Sequence, residues 1–164
     1  MKKSFVMVFG MVMVLSEGFL ANAQEENATT DPEINTPYHI VKTFLTAYIA
    51  GDHEKFVSLV HPDVVWVQPG DNRVSGVKKS KAELLQMGAK MAELSTRTLK
   101  LNDVQYFAPN GNTVVCILHW TAAQPTGSIL DVRNVDVYTV ENGKIILVRI
   151  YSEDIDQENA FWGK

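Results

Sequence analysis

Four long apolar-rich segments in the second half of the chain constrain the fold more than any other feature. Thr96 to Phe107, Thr113 to Ala123, Ser128 to Val140 and Lys144 to Tyr151 follow one another with only short separators. Those separators, Pro109-Asn110-Gly111-Asn112, Gln124-Pro125-Thr126-Gly127 and Glu141-Asn142-Gly143, are turn sequences, too short for helical crossovers. A four-stranded antiparallel meander is the expected result. Strands of about 8 to 13 residues must also twist or bend, so the sheet is expected to curl.

Upstream the periodicity is helical. Thr36-Pro37 reads as an N-cap with proline at the first helical position, and Val41, Phe44, Leu45, Tyr48 and Ile49 then recur on a helical spacing up to Gly51. Asp52 caps a shorter helix carrying Phe56, Val57 and Val60, which is expected to stop before Pro62. Val64 to Val67 reads as a strand and Pro69 to Asn72 as a turn. A third helix starts at the capping-box sequence Ser80-Lys81-Ala82-Glu83, with Leu84, Leu85, Met87, Met91 and Leu94 on its apolar side. Helices covering one face of such a sheet make an α+β domain, and a sheet curled around them leaves a concavity at their ends.

The N-terminus has another character. Met1-Lys2-Lys3, the apolar run Phe5 to Leu15 and the small-x-small sequence Ala21-Asn22-Ala23 read as a signal peptide over residues 1–23, with cleavage before Gln24. The expectation is an exported protein, periplasmic or secreted, with no stable membrane insertion after cleavage. Residues 24–35 read as a flexible linker, 36–152 as the domain and 153–164 as an acidic C-terminal tail, within which Phe161-Trp162 either packs back on the domain or joins a dimer contact. Loss of the leader takes the formal net charge from −4 to −5. A diffusely acidic chain lacks the clustered positive surface that nucleic acid needs. The basic cluster Lys78, Lys79 and Lys81 reads as a solvated helix start. Cys116, alone in its chain and set in an apolar strand, reads as a core thiol.

No phosphate loop, dinucleotide fingerprint, HExxH or GxSxG sequence is present, and His39, His53, His61 and His119 are too dispersed to suggest a metal. No cofactor is expected. Along Asn134 to Val140, alternation puts Asn134, Asp136, Tyr138 and Val140 on one face and Val135, Val137 and Thr139 on the other. Both faces are largely apolar, which fits helices on one side and a second copy on the other, hence a homodimer. Trp66 and Trp120 read either as walls of an apolar ligand site or as ordinary core aromatics.

Tyr48-Ile49-Ala50-Gly51-Asp52, the block His61 to Gly70 and the stretch Val135 to Ile145, in that order and spacing, resemble the NTF2-like superfamily and especially its SnoaL-like proteins. The resemblance spans about Thr36 to Ser152. It implies a cone of three N-terminal helices packed on a strongly curved, mainly antiparallel sheet, commonly dimeric, with an apolar cavity for a small organic ligand. Compared with the family's ketosteroid isomerases, Phe44 falls where the catalytic tyrosine stands and Gln68 where the base stands. Neither can do those jobs, lacking a hydroxyl and a titratable carboxyl respectively, so that isomerisation is disfavoured. The SnoaL-like cyclases point instead to Asp136 and His119 as candidate acid/base and polar assistant, with Trp66, Gln68, Phe44, Trp120 and Tyr138 as ligand-binding candidates. Cofactor-independent isomerisation, cyclisation or dehydration, a ligand-binding module without turnover, and a dimeric assembly domain all remain open at this point.

Overall fold

The computed structural model describes residues 35–107 and 109–164; the signal-peptide assignment falls outside them. The element order is α1 (Pro37–Ala50), α2 (His53–Ser58), β1 (Val60–Gln68), β2 (Gly76–Lys78), α3 (Lys81–Leu94), β3 (Lys100–Tyr106), β4 (Thr113–Ala123), β5 (Ile129–Glu141), β6 (Lys144–Ser152) and α4 (Ile155–Trp162). The expected caps are in place. Thr36 Oγ1 accepts from the His39 N–H, Asp52 Oδ1 from Lys55 and Ser80 Oγ from Glu83, each satisfying an N–H at a helix start. Gly51, at φ 71°, ends α1 in the left-handed conformation that glycine adopts without steric cost.

β3 to β6 form the antiparallel meander, within a six-stranded sheet of order β2-β1-β6-β5-β4-β3. The sheet is mixed rather than uniformly antiparallel, because β1 runs parallel to β6. Its register breaks between Val60 and Val65, a stretch that holds Pro62. A proline has no N–H to give a ladder and is tolerated where pairing is interrupted. The short helix accordingly ends at Ser58, and β1 starts before the proline instead of after it.

Three further expectations are corrected. The strand foreseen from Thr96 begins only at Lys100, since Thr96 and Arg97 take φ of 51° and 62° and close α3 through bonds to Glu93 and Ala92 carbonyls. The helices number four among the described residues, with α3 inserted between strands and α4 at the C-terminal end, not three at the N-terminus. The segment read as an acidic tail folds into α4, with Phe161 and Trp162 each 2% exposed. Side chains with distant partners hold that helix down. Asn159 Oδ1 accepts from the Asp71 N–H and Asn72 Nδ2, Arg73 Nε donates to the Trp162 carbonyl, and Gln124 Nε2 donates to both the Leu94 and Phe161 carbonyls. Gly70 permits this approach. It sits at φ 98°, and a Cβ there would lie 2.5 Å from Asn159 Oδ1.

The core lies between the concave sheet face and α1, α3 and α4. Alternate residues of β5, from Leu130 to Val140, are buried, as are Val114, Cys116, Leu118 and Ala122 of β4. On β6 the inward set is Ile145, Val148 and Ile150. The break in its two-residue period follows from the bulge by which Thr139 and Val140 pair with Leu147 and Ile145, leaving Ile146 as the extra residue.

Candidate functional site: a dry carboxyl in an aromatic cavity

The helices do not fill the cone. A cavity of about 670 Å³ remains between α1, α3, α4 and the concave sheet face, within the range of sites that hold small organic molecules. Exposed lining residues, Gly51, Asp52, His53, Gly88, Ala89 and Arg97, mark its mouth. Aromatic rings form much of the wall. Phe44 stacks on Phe56 at 4.5 Å between centroids and meets Tyr138 edge-on at 6.0 Å, while Tyr48, one turn further along α1, meets Trp120 edge-on at 5.3 Å.

The polar groups gather at the buried end. Asp136 sits mid-strand on β5, in register with Cys116 of β4 and Ile150 of β6, so its carboxyl is flanked by a thiol and an alkyl chain instead of water. It is 2% exposed. Tyr138, two residues on and therefore on the same face, donates its hydroxyl to Asp136 Oδ2 at 2.9 Å. Asp136 Oδ1 has no hydrogen-bond partner. Burial is the main reason the Asp136 carboxyl is raised from 3.8 to about 7; the Tyr138 hydrogen bond pulls it back and the Glu158 carboxyl pushes it further up. The same enclosure, with Asp136 as the second cause, drives the Cys116 thiol up to about 12 and keeps it protonated. Burial likewise raises the Tyr48 hydroxyl.

Six of the seven site candidates, Asp136, Phe44, Trp66, Gln68, Trp120 and Tyr138, line this one cavity. Gln68 is buried and its Oε1 accepts from Trp66 Nε1 at 3.4 Å, so it helps orient the indole. His119 is not brought to Asp136. It is one residue out of phase with the cavity-lining Trp120, and its Nε2 lies 2.6 Å from Oδ1 of exposed Asp131 on the other sheet face. Adjacent strands place residues side by side, yet the two-residue period decides which face each presents. The expected assistant role of His119 has no geometry here.

Glu158 was missed. It is 2% exposed and lines the cavity from α4, where burial raises its carboxyl while hydrogen bonds with Ser152, Asn134 and Trp162 favour the ionised form. Its place in an acidic run suggested a solvated tail. The signal against that reading is the spacing Ile155, Glu158, Phe161, Trp162 behind the N-cap Asp154, which puts Glu158 on the apolar side of a helix. Among the described residues no group of three His, Cys, Asp or Glu side chains is arranged to hold a metal, and no helix is long and apolar enough to cross a membrane.

A partly open cavity of this size, walled by aromatic rings with a buried carboxyl among its lining residues, has the dimensions of small-molecule sites. The SnoaL-like domain profile matches residues 41–148, and the chain belongs to this SnoaL-like family; its fold is NTF2-like. A solved protein of unknown function with a cystatin-like fold from Xanthomonas campestris is 36% identical; the match covers 79% of this chain and 99% of that one, with a TM-score of 0.74. An NTF2-like protein from Burkholderia xenovorans LB400 shares 21% identity over 77% of this chain and 95% of its own, at a TM-score of 0.65. Neighbours at a TM-score of 0.59 include one named as a polyketide cyclase from Pseudomonas putida KT2440 (18% identity, 78% of this chain, 98% of that one) and one named as an isomerase from Rhodopseudomonas palustris (13%, 77% and 96%). At such identities they show the shared fold alone. No curated protein matches the sequence.

Proposed function

We propose that the protein is an exported, cofactor-independent proton-transfer enzyme acting on a small, largely apolar organic molecule, by isomerisation, cyclisation or dehydration. The observation that carries this reading is Asp136: a buried carboxyl with one oxygen bound to Tyr138, the other free, at the closed end of an aromatic cavity. A base for a carbon-bound proton works best with a pKa near the working pH and with water kept away. Asp136, at about 7, meets the first condition, and its burial meets the second. The neighbours named as cyclase and isomerase are compatible with such chemistry on this scaffold.

The test is hydrogen–deuterium exchange at the activated carbons of 2-tetralone, an enolisable bicyclic ketone, followed by NMR in deuterated buffer. The protein is expected to accelerate exchange, with activity rising through a midpoint near pH 7 as Asp136 ionises. Quenching of the fluorescence of Trp66, Trp120 and Trp162, all of which line the cavity, without any acceleration would assign the cavity to ligand binding without turnover.

Export and self-association belong to the same proposal. The basic start, apolar run and Ala21-Asn22-Ala23 sequence support cleavage, so exported protein should begin at Gln24 by intact mass; retention of Met1 would refute it. The face of β5 away from the cavity carries Ile129, 68% exposed, and Val135, 38% exposed, with Tyr151 of β6 at 58% beside Val135. Exposed apolar groups on one face favour a partner surface. Sedimentation of the mature chain at micromolar concentration should give twice the monomer mass; a monomer throughout would show that this face is left to solvent.

A further inference from the structure

An amide cannot act as a base, yet the place of Gln68 in the sheet gives it another use. Trp66 and Tyr138 lie on one row across the concave face, since each is in register with Val148 of β6. The next row holds Gln68 and Asp136. Val67 pairs with Arg149, so Gln68 comes level with Ile150, and Ile150 is in register with Asp136. Both side chains line the cavity. Neighbouring strands lie about 4.8 Å apart, which sets the two backbones roughly 10 Å apart with Ile150 between them.

The Gln68 amide is oriented by its neighbour. An indole nitrogen only donates, so Trp66 Nε1, at 3.4 Å, turns the amide oxygen toward itself and leaves the Nε2 donor for another partner. Gln68 is 5% exposed, and among the described residues its Nε2 has no such partner. A buried donor left unpaired is costly, and a bound acceptor removes that cost. The polar groups nearest Asp136 offer no second donor. Tyr138 gives its hydroxyl proton to Asp136 Oδ2, and Asn134 Oδ1 is an unpaired acceptor. Glu158 is an acceptor as well, its ionised form favoured by Ser152, Asn134 and Trp162. It belongs to the following row, where Asn134 is in register with Ser152. Tyr48 stands one helical turn nearer the mouth than Phe44, and His53 and Arg97 stand at the mouth itself. A carbonyl oxygen turned toward Asn134 and Glu158 would therefore meet acceptors and negative charge. Turned toward Gln68, it meets an N–H.

We propose that Gln68 is a second catalytic residue, its Nε2 donating to the carbonyl oxygen of an enolisable ketone whose neighbouring carbon lies against Asp136 Oδ1. This rests on the proton-transfer reading given above and narrows its substrate to a carbonyl compound. Contacts of about 3 Å at either end leave the length of a carbonyl and its neighbouring carbon between the two groups. In the forward step the C–H bond breaks and the proton goes to Asp136 Oδ1. The released electron pair forms a C=C bond while the carbonyl π pair moves onto oxygen. The bound species is an enolate beside a neutral Asp136, so one negative charge has passed from carboxylate to substrate oxygen and the total is unchanged. The Gln68 N–H bond to that oxygen strengthens as the charge develops, which lowers the barrier. In the return step Asp136 gives a proton to carbon and the carbonyl re-forms. Gln68 gives up no proton and stays neutral throughout.

The experiment uses the mature chain and 2-tetralone carrying carbon-13 at its carbonyl, with two readouts: the carbonyl NMR resonance of the bound ketone and the rate of exchange. On binding to the parent the resonance should move downfield, as a hydrogen-bonded carbonyl does. In Gln68→Met, which keeps the chain length without the donor, that movement should disappear. Exchange should drop roughly 10²-fold there while affinity stays within a few-fold, the pattern for loss of an oxyanion donor. A bound resonance identical in parent and Gln68→Met overturns the contact. Exchange that survives unchanged in Gln68→Met overturns the catalytic role, and either result leaves Asp136 standing. Should Gln68→Met fold poorly, the nitrogen-15-labelled parent supplies the measurement: one Gln68 side-chain amide proton should move downfield as 2-tetralone binds, and amide protons that do not move overturn the proposal. Absence of exchange in the parent would refute the turnover reading itself and the catalytic role of Gln68 with it, whatever the carbonyl resonance does.

Discussion

Asp136→Asn should reduce catalysed exchange of 2-tetralone by roughly 10²- to 10⁴-fold while leaving its affinity within a few-fold of the parent. The substitution keeps the side chain's size, and the asparagine oxygen can still accept from the Tyr138 hydroxyl, which donates to Asp136 at 2.9 Å. What disappears is the group proposed to take the proton. Expressed as a barrier, the expected loss is about 3 to 5 kcal/mol. A drop in affinity matching the drop in rate would instead indicate that the carboxyl only holds the ligand. Full activity in the variant would remove Asp136 from the chemistry altogether, whatever the shape of the cavity.

The second large effect is on stability and needs no substrate. Asp136 has its folded-state pKa raised from 3.8 to about 7. Below about pH 4 it is protonated in both folded and unfolded chains, and the folded state bears no ionisation penalty. As pH rises from 4 to 7 the unfolded chain releases the proton while the folded one retains it, so stability falls; above 7 both are ionised and the loss is complete. A shift of this size corresponds to about 4 kcal/mol. Glu158, also raised by burial, acts in the same direction. Urea denaturation at pH 5 and pH 8 should show the parent losing stability toward the higher pH and Asp136→Asn losing clearly less. An identical decline in both would mean that Asp136 is solvated in the folded protein. The ionised form, the one active under the proposed function, is thus the less stable one, the usual tension in a site that keeps a charge away from water.

Some of this was legible in advance for local reasons. The caps at Thr36, Asp52 and Ser80 and the left-handed Gly51 depend on residues a few positions apart. The face shared by Asn134, Asp136, Tyr138 and Val140 follows from strand alternation, and all four are buried. Alternation also contained the evidence against His119. Trp120, its neighbour, was already a candidate wall residue, and consecutive strand residues cannot both face one cavity. The signal for α4 was present as well, in a capped apolar spacing, and was obscured by the charge of the residues between.

By itself, then, the sequence determined a meander of long strands with three short turns, the helical segments ahead of it, the face to which Asp136 belongs, and the Phe44 and Gln68 replacements that disfavour ketosteroid isomerisation. Those properties rest on backbone periodicity and side-chain chemistry, which act over one or two turns. Only the tertiary structure decided that β1 runs parallel to β6, that the Asp136 face is the concave one, and that α4 folds back under the hold of Asn72, Arg73 and Gln124 to place Glu158 in the same cavity. The physical reason is that burial is a property of surroundings. Asp136 and Glu158 lie 22 positions apart, and the Glu158 charge comes to bear on the Asp136 carboxyl only when strands and helix together exclude the water that would otherwise screen it.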